Sequence, residues 1–386
     1  SLTRYNLVDQ SIDEFYDTSG VDAAASTNEN RVASGSNFYY SGSVAGAPTG
    51  ADSSDTSVAG YTTLVCSSAT GSLVVPSAAN VTMLVVGGGG SGGCDYGGGG
   101  GAGGLIYKAT HAVTAQTYDW VRGAGGAGQT SNLRGNDGAD STWTINGGAT
   151  EFTAKGGGAG GAEGQADGND GGSGGGDGNG TSGRTVGGEE TQTGQAGDSG
   201  TYGFGNDGGT GSQDSNHNVG GGGGAGSAGG DGVVLKSGDG GTGKDYSTIF
   251  GTAVGDSGWF ASGGGGGWTS NGNSEAGTAS AGGGSNGGTP LNGPSSNATV
   301  LTGGGSGGGA ETDAASGNGG TGIILMRYAD GAFTSYDDMT LQSTDVTAEA
   351  EPDFGEFVTL MEDAAGTATL NTDIKGYISR DSGVTF

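Results

Sequence analysis

Between Gly87 and Gly322 the chain places 85 of its 97 glycines in 236 residues, so more than a third of that stretch has no side chain. Apolar burial cannot be what holds it together, because glycine adds no hydrophobic surface and loses the most backbone entropy on ordering. A segment of this composition is ordinarily a flexible linker. If it is ordered, its cohesion must come from the backbone. Extended chains of the polyproline II type, with three residues per turn, have no internal hydrogen bonds and leave every N–H and C=O free for a neighbour. Glycine suits them because backbones approach closely only where no Cβ intervenes. Five prolines and unbroken runs such as Gly87–Gly90 and Gly263–Gly267 exclude the Gly-X-Y repeat of collagen. The calcium-binding nonapeptide repeat fits poorly, since Gly171-Gly172-Ser173-Gly174-Gly175-Gly176-Asp177 misplaces the aspartate and no apolar residue follows it. The pattern favours a bundle of glycine-rich polyglycine/polyproline II-type helices over a disordered or irregular segment.

The flanking sequence divides the chain into residues 1–60, 61–328 and 329–386. Tyr5, Val8, Ile12 and Phe15 recur at spacings of three and four, which predicts a short N-terminal helix over residues 1–19, either packed on its own domain or ending an oligomeric stalk. Residues 21–60, with the cluster Phe38-Tyr39-Tyr40, read as an extended linker. Strands are predicted at Tyr61–Cys66, Ser72–Val75, Val81–Val86, Gly104–Tyr107, Thr117–Val121, Ser141–Ile145 and Glu151–Ala154, forming a small antiparallel sheet. Glycine segments would run out and back from it like fingers, interrupted by Val233–Leu235 and Tyr246–Phe250. Ile323–Met326 would close the domain as a buried strand beside Met83–Val86. Phe354, Phe357–Met361, Thr367–Leu370 and Ile374–Ser379 suggest the start of a C-terminal β-module, and the chain reads as part of something longer. The expected class is therefore mainly β and irregular.

With 41 acidic and 12 basic residues the formal charge is −29, which argues against nucleic acid or an anionic membrane as partner and for a solvated acidic coat. No apolar run approaches the ~20 residues of a membrane span. Cys66 and Cys94 fit either a disulfide or two free thiols, and His111 and His217 stand alone without ligand spacing. Gly-x-Gly-x-x-Gly recurs without a strand, helix and ribose-binding acid around it, and Gly240-Gly241-Thr242-Gly243-Lys244 lacks the phosphate-loop spacing. Turns such as Asp167-Gly168-Asn169-Asp170 do not match the twelve-residue calcium loop. Neither a catalytic constellation nor a cofactor or metal site is expected. What points to binding is aromatic placement: Tyr96, Tyr202, Phe204, Trp259, Phe260 and Trp268 adjoin glycine runs too small to bury them. At a distal tip, with Asn and Asp nearby, they would resemble a paratope suited to sugars or protein loops; the alternative is that they plug the glycine bundle or pack between subunits.

Ser72–Pro76, Met83–Gly90, Gly97–Tyr107 and the closing run Gly319-Gly320-Thr321-Gly322-Ile323-Ile324-Leu325-Met326-Arg327-Tyr328 resemble the glycine-rich domain of tail-fibre and other virion structural proteins of marine bacteriophages. Residues 17–29 and 371–383 resemble linker and β-module segments of the same proteins. The resemblance implies an extracellular or virion-borne, homotrimeric fibre or adhesin element with a polyglycine II-type domain and receptor-contacting tip loops. Its partners would be other copies of itself, other virion proteins, and a host surface glycan or outer-membrane protein. The Asp, Asn and Glu insertions in the glycine field depart from that pattern, so no receptor-contacting residue carries over. A structural spacer or capsid decoration is the alternative function. An ice-binding protein, which needs regular rows of Thr or Ala, shows no such period here.

Overall fold

The computed structural model describes residues 46–333 except 181–186, 193–202, 213–216, 270–274, 290–292 and 312–313. It also describes the strand backbones of residues 4–7, 10–13, 29–34 and 37–42, and the stretches 21–22, 24–27, 340–345, 369 and 375–378. The chain divides into two units, residues 1–45 with 334–386, and residues 46–333.

In the first unit, β1 (Arg4–Leu7) and β2 (Gln10–Asp13) pair antiparallel with Tyr5 opposite Ile12, which overturns the expected N-terminal helix. A spacing of seven is one heptad on a helix, but it also spans a hairpin with two intervening residues. The β-formers Tyr5 and Ile12 favour the hairpin. The expected linker likewise contains a hairpin, β3 (Glu29–Ser34) with β4 (Asn37–Gly42), in which Val32 lies opposite Tyr39. Of the expected C-terminal β-module, residues 375–378 are exposed and form no strand, and its other predicted strands lie outside the described residues except Thr369.

In the second unit the strands are β5 (Ser53–Asp55), β6 (Tyr61–Cys66), β7 (Thr70–Val75), β8 (Ala79–Val86), β9 (Leu105–Val113), β10 (Gln116–Val121), β11 (Ser141–Ile145), β12 (Thr150–Ala154), β13 (Gly203–Phe204), β14 (Lys244–Asp245), β15 (Trp259–Phe260) and β16 (Ile323–Ala329), with a four-residue helix, α1 (Ser247–Phe250), before β15. They form a six-stranded sheet in the order β13-β9-β8-β16-β6-β5, a four-stranded sheet β12-β11-β10-β7, and the pair β14-β15. β16 does lie beside β8, Met326 opposite Met83 and Ile323 opposite Val86. Both faces of the large sheet are buried, which is why its central strands read as continuous apolar runs. Met83, Val85, Ile106 and Ile324 meet Leu73, Tyr118, Trp143 and Phe152 of the four-stranded sheet. Leu84, Leu105, Ile323 and Leu325 pack on the other side against Tyr246, Phe250 and Phe260.

The expected bundle of glycine-rich helices is also overturned. Among the described residues the only helix is α1, and the regular structure is sheet. The glycine segments are extended backbone that is neither helix nor strand, and their hydrogen bonds leave sideways. Gly98, Gly101 and Gly104 donate to Gly161, Gly158 and Lys155; Gly97, Gly100 and Gly103 donate to Gly309, Ser306 and Gly303; Gly99 and Ala102 donate to Gly220 and Gly223. Successive residues thus address three different neighbours, which gives neither the i to i−4 bonds of an α-helix nor the two-sided ladder of a sheet. The approach is too close for side chains: a Cβ on Gly98 would lie 2.1 Å from the Gly176 carbonyl oxygen.

Where the array ends, side chains replace the missing neighbour. Asp137, Asp140, Asp170, Asp207 and Asp231 accept the backbone N–H of Ala159, Gly156, Glu189, Glu190 and Thr210, each at 2.8 Å. Asp239 Oδ1 accepts both the N–H (2.8 Å) and the hydroxyl (2.9 Å) of Thr278. Inside the array buried serines bridge segments: Ser306 Oγ accepts from Gly92 N (3.0 Å) and donates to the Gly317 carbonyl (2.5 Å). The acidic insertions are therefore edge caps, which satisfy donors that would otherwise cost about 1–3 kcal/mol each if buried.

Candidate binding surface

The glycine segments leave the sheets, bend, and return. Gly87, Gly90 and Gly93 donate to Gly104, Gly101 and Gly98, so residues 87–104 form one outward and one returning limb that turn at Asp95 and Tyr96. Hydrogen bonds gather the other bends around this one. Cys94 N donates to the Leu133 carbonyl, Glu163 N to that of Asp95, and Glu311 N to that of Trp268. Tyr96 Oη donates to Glu311 Oε2 at 2.9 Å, and its ring lies 5.5 Å from that of His217. The bend Val233–Lys236, closed by reciprocal 2.9 Å backbone bonds, joins the same end through Ser237, whose hydroxyl donates to the carbonyl of Gly267, next to Trp268.

This face is strained and carries exposed aliphatic residues. Seven described non-glycine residues have positive φ, and four of them, Asp95 (60°), Tyr96 (48°), His217 (56°) and Leu235 (65°), sit in these bends. Such conformations persist only where surroundings impose them, and they concentrate at functional sites. Leu133, Val233, Val234 and Leu235 are 44%, 56%, 66% and 46% exposed, a contiguous aliphatic triplet with a fourth apolar residue at the same end. Lys236 Nζ pairs with Asp239 Oδ2 at 2.5 Å just behind. Burial pushes the Asp239 carboxyl up, but the hydrogen bonds from Lys236 and Thr278 and the Lys236 charge outweigh it and hold the group below its ordinary value.

The six predicted aromatics divide. Tyr96 and Trp268 are brought together at the bends through Glu311. Phe260 is fully buried against the large sheet, and Phe204 packs beside that core with Lys244 Nζ 4.0 Å above its ring. Trp259, half-buried, faces Asp245 across the β14–β15 pair, and Tyr202 lies outside the described residues. The aliphatic bend was missed because Val233-Val234-Leu235 reads only as an apolar interruption of the glycine segments. Only its setting, Gly232 before and Lys236-Ser237-Gly238 after, signals a turn. Tyr246 and the helix α1 after it pack in the core against the large sheet. Neither cysteine is in a disulfide and both are buried; burial, then the Asp52 charge, pushes the Cys66 thiol up to about 12.

A family model described as a glycine-rich domain matches residues 65–329. No curated protein matches the chain.

Proposed function

This chain belongs to the glycine-rich domain family, and from that premise we propose that it is a non-enzymatic attachment element of a virion fibre, homotrimeric, whose bend-bearing face contacts a host surface. The observation that carries the reading is the aliphatic bend Val233–Leu235, held open to solvent at the end of an array cross-linked by backbone hydrogen bonds. Covering the exposed parts of Leu133, Val233, Val234 and Leu235 would contribute about 3–6 kcal/mol at ~25 cal/mol per Å². A rigid support adds to this by avoiding ordering costs on binding. The sequence resemblance supplies the virion setting, and the chain's acidity argues against nucleic acid as the partner.

The test is adsorption competition: the purified chain, at increasing concentration, against attachment of the parent virion to host cells. Saturable blocking that is lost in Val234→Asp supports the reading. A folded, assembled chain that never blocks would move it to the alternative, a fibre spacer or capsid decoration without a receptor.

A further inference from the structure

Arg327 pairs with no described carboxylate, although the chain has 41 acidic residues. It projects from β16 on the same face as Ile323 and Leu325, beyond the covered core and at the sheet end remote from the bends. Its guanidinium carbon lies 3.4 Å from the centre of the Tyr61 ring. Its Nε is buried and has no hydrogen-bond acceptor, and no described carboxylate pairs with it. A buried donor without an acceptor is costly, and in a native fold it calls for a water or a ligand.

The strand order supplies the rest of a site. Across the sheet from β9 to β6, the same face carries Tyr107, then Thr82, then Arg327, then Thr63 and Tyr61. Thr82 Oγ1 donates to the Ala109 carbonyl at 2.9 Å, which leaves its oxygen able to accept. Tyr107 is half-buried and packs against Tyr246, the ring centres 4.7 Å apart and the planes tilted by 33°. Burial pushes its hydroxyl up, and the Arg327 charge offsets part of that rise, so the two lie within electrostatic reach across Thr82. The result is a surface strip with a tyrosine at each side, Tyr61 beneath the guanidinium and Tyr107 against Tyr246, a hydroxyl between them and a guanidinium whose Nε has no acceptor.

We infer that Arg327, Tyr61, Thr82 and Tyr107 form a binding site for a sugar ring bearing a carboxylate. The guanidinium is a planar donor fork that matches a carboxylate in a bidentate way, and being already stacked on Tyr61 it loses little freedom on binding. The parts of the Tyr61 and Tyr107 rings left uncovered by Arg327 and Tyr246 suit the apolar side of a pyranose, and the Thr82 oxygen accepts from a ring hydroxyl. The site is independent of the bend-bearing face and of any receptor bound there. Its salt dependence has an unusual sign. The −29 formal charge repels an anionic ligand at long range, whereas the half-buried Arg327 contact is weakly screened. Raising salt from ~10 to ~150 mM shortens the screening length from about 30 to about 8 Å and removes mainly the repulsion.

The experiment is calorimetric titration of the full chain with D-glucuronate, D-glucose, acetate and inorganic phosphate, with NMR of tyrosine ring resonances in parallel. Saturable glucuronate binding is expected, at least tenfold tighter than glucose or acetate, tightening severalfold over that salt range and shifting Tyr61 and Tyr107 resonances. Arg327→Lys, which keeps the charge but loses the fork, should weaken it about tenfold, and Arg327→Gln should abolish it. The inference is overturned if glucuronate does not saturate, if glucose binds equally, or if both Arg327 variants bind as the parent does. Phosphate or acetate binding as tightly as glucuronate overturns it as well, leaving an anion contact without a ring site. Should Arg327→Gln fail to fold, the Lys variant and the parent-chain ring shifts decide.

Discussion

Gly99→Ala tests most directly whether backbone alone holds the glycine array. Gly99 donates to the Gly220 carbonyl at 3.0 Å, and a Cβ added to it would lie 2.0 Å from the Gly264 carbonyl oxygen and 2.9 Å from Gly222 N. Ordinary contact begins at 3.4 Å, so one of the segments must move by about 1.4 Å. That oxygen is the acceptor for Gly222 N at 2.9 Å, and Gly264 N donates to Gly100 at 3.0 Å, so the displacement breaks up to three bonds between segments that have no side chain to yield. At about 1–3 kcal/mol per unsatisfied buried group the loss is about 3–9 kcal/mol. The smaller entropy of the unfolded alanine chain returns only about 0.4–1 kcal/mol. Against a typical stability of about 5–15 kcal/mol, Gly99→Ala should fall to the edge of folding. Gly46→Ala is the control, because nothing lies within 4 Å of its added Cβ; its effect should stay within about 0.5 kcal/mol. Urea unfolding followed by circular dichroism measures both. With a slope of about 3 kcal/mol/M, the Gly99→Ala midpoint should drop by at least about 1 M. A midpoint unchanged from the parent, or an equal loss in Gly46→Ala, would refute the reasoning.

Three further outcomes are expected. Asp239→Ala should cost about 1–2 kcal/mol, by analogy with removal of a helix cap, and Asp239→Asn, which keeps the accepting oxygen, distinctly less; equal losses in thermal melts would show that Oδ1 is not a cap. Because the Asp239 carboxyl is held below its ordinary 3.8, its contribution is present above that pH and is lost as pH falls through the lowered value, so the parent-minus-variant stability difference should shrink only below about pH 3.8. Cys66, with its thiol raised to about 12, should resist iodoacetamide at pH 8 in the native chain and react on denaturation, and stability should decline between its unfolded value near 9 and about pH 12; rapid native labelling read by mass spectrometry would contradict this. Val234→Ser should leave stability within about 0.5 kcal/mol but weaken adsorption blocking about 5- to 30-fold, the equivalent of about 1–2 kcal/mol of lost burial.

The central strands were legible because their apolar runs had to be buried on both faces, and β16 could be placed beside β8 for the same reason. Residues 1–19 were not, because a seven-residue spacing satisfies a heptad and a hairpin equally and only pairing chooses between them. Of the aromatics picked out by their glycine neighbours, Tyr96 and Trp268 lie at the bends. Phe260 could not be told from them, since a flanking glycine run leads outward to a bend or back to a core with the same composition.

By itself the sequence determined that any order in the glycine runs between residues 87 and 322 must be held mainly by backbone hydrogen bonds, because glycine has no side chain to bury. It also determined that the surface is acidic and that an apolar sheet anchors the array. Tertiary structure alone decided which segments are neighbours, and therefore which aspartates cap an edge, which aromatics are core, and that Val233–Leu235 stands in solvent. The reason is physical: a glycine N–H bonds any carbonyl equally well, so the partner is chosen by the closure of the whole array and leaves no trace in local sequence.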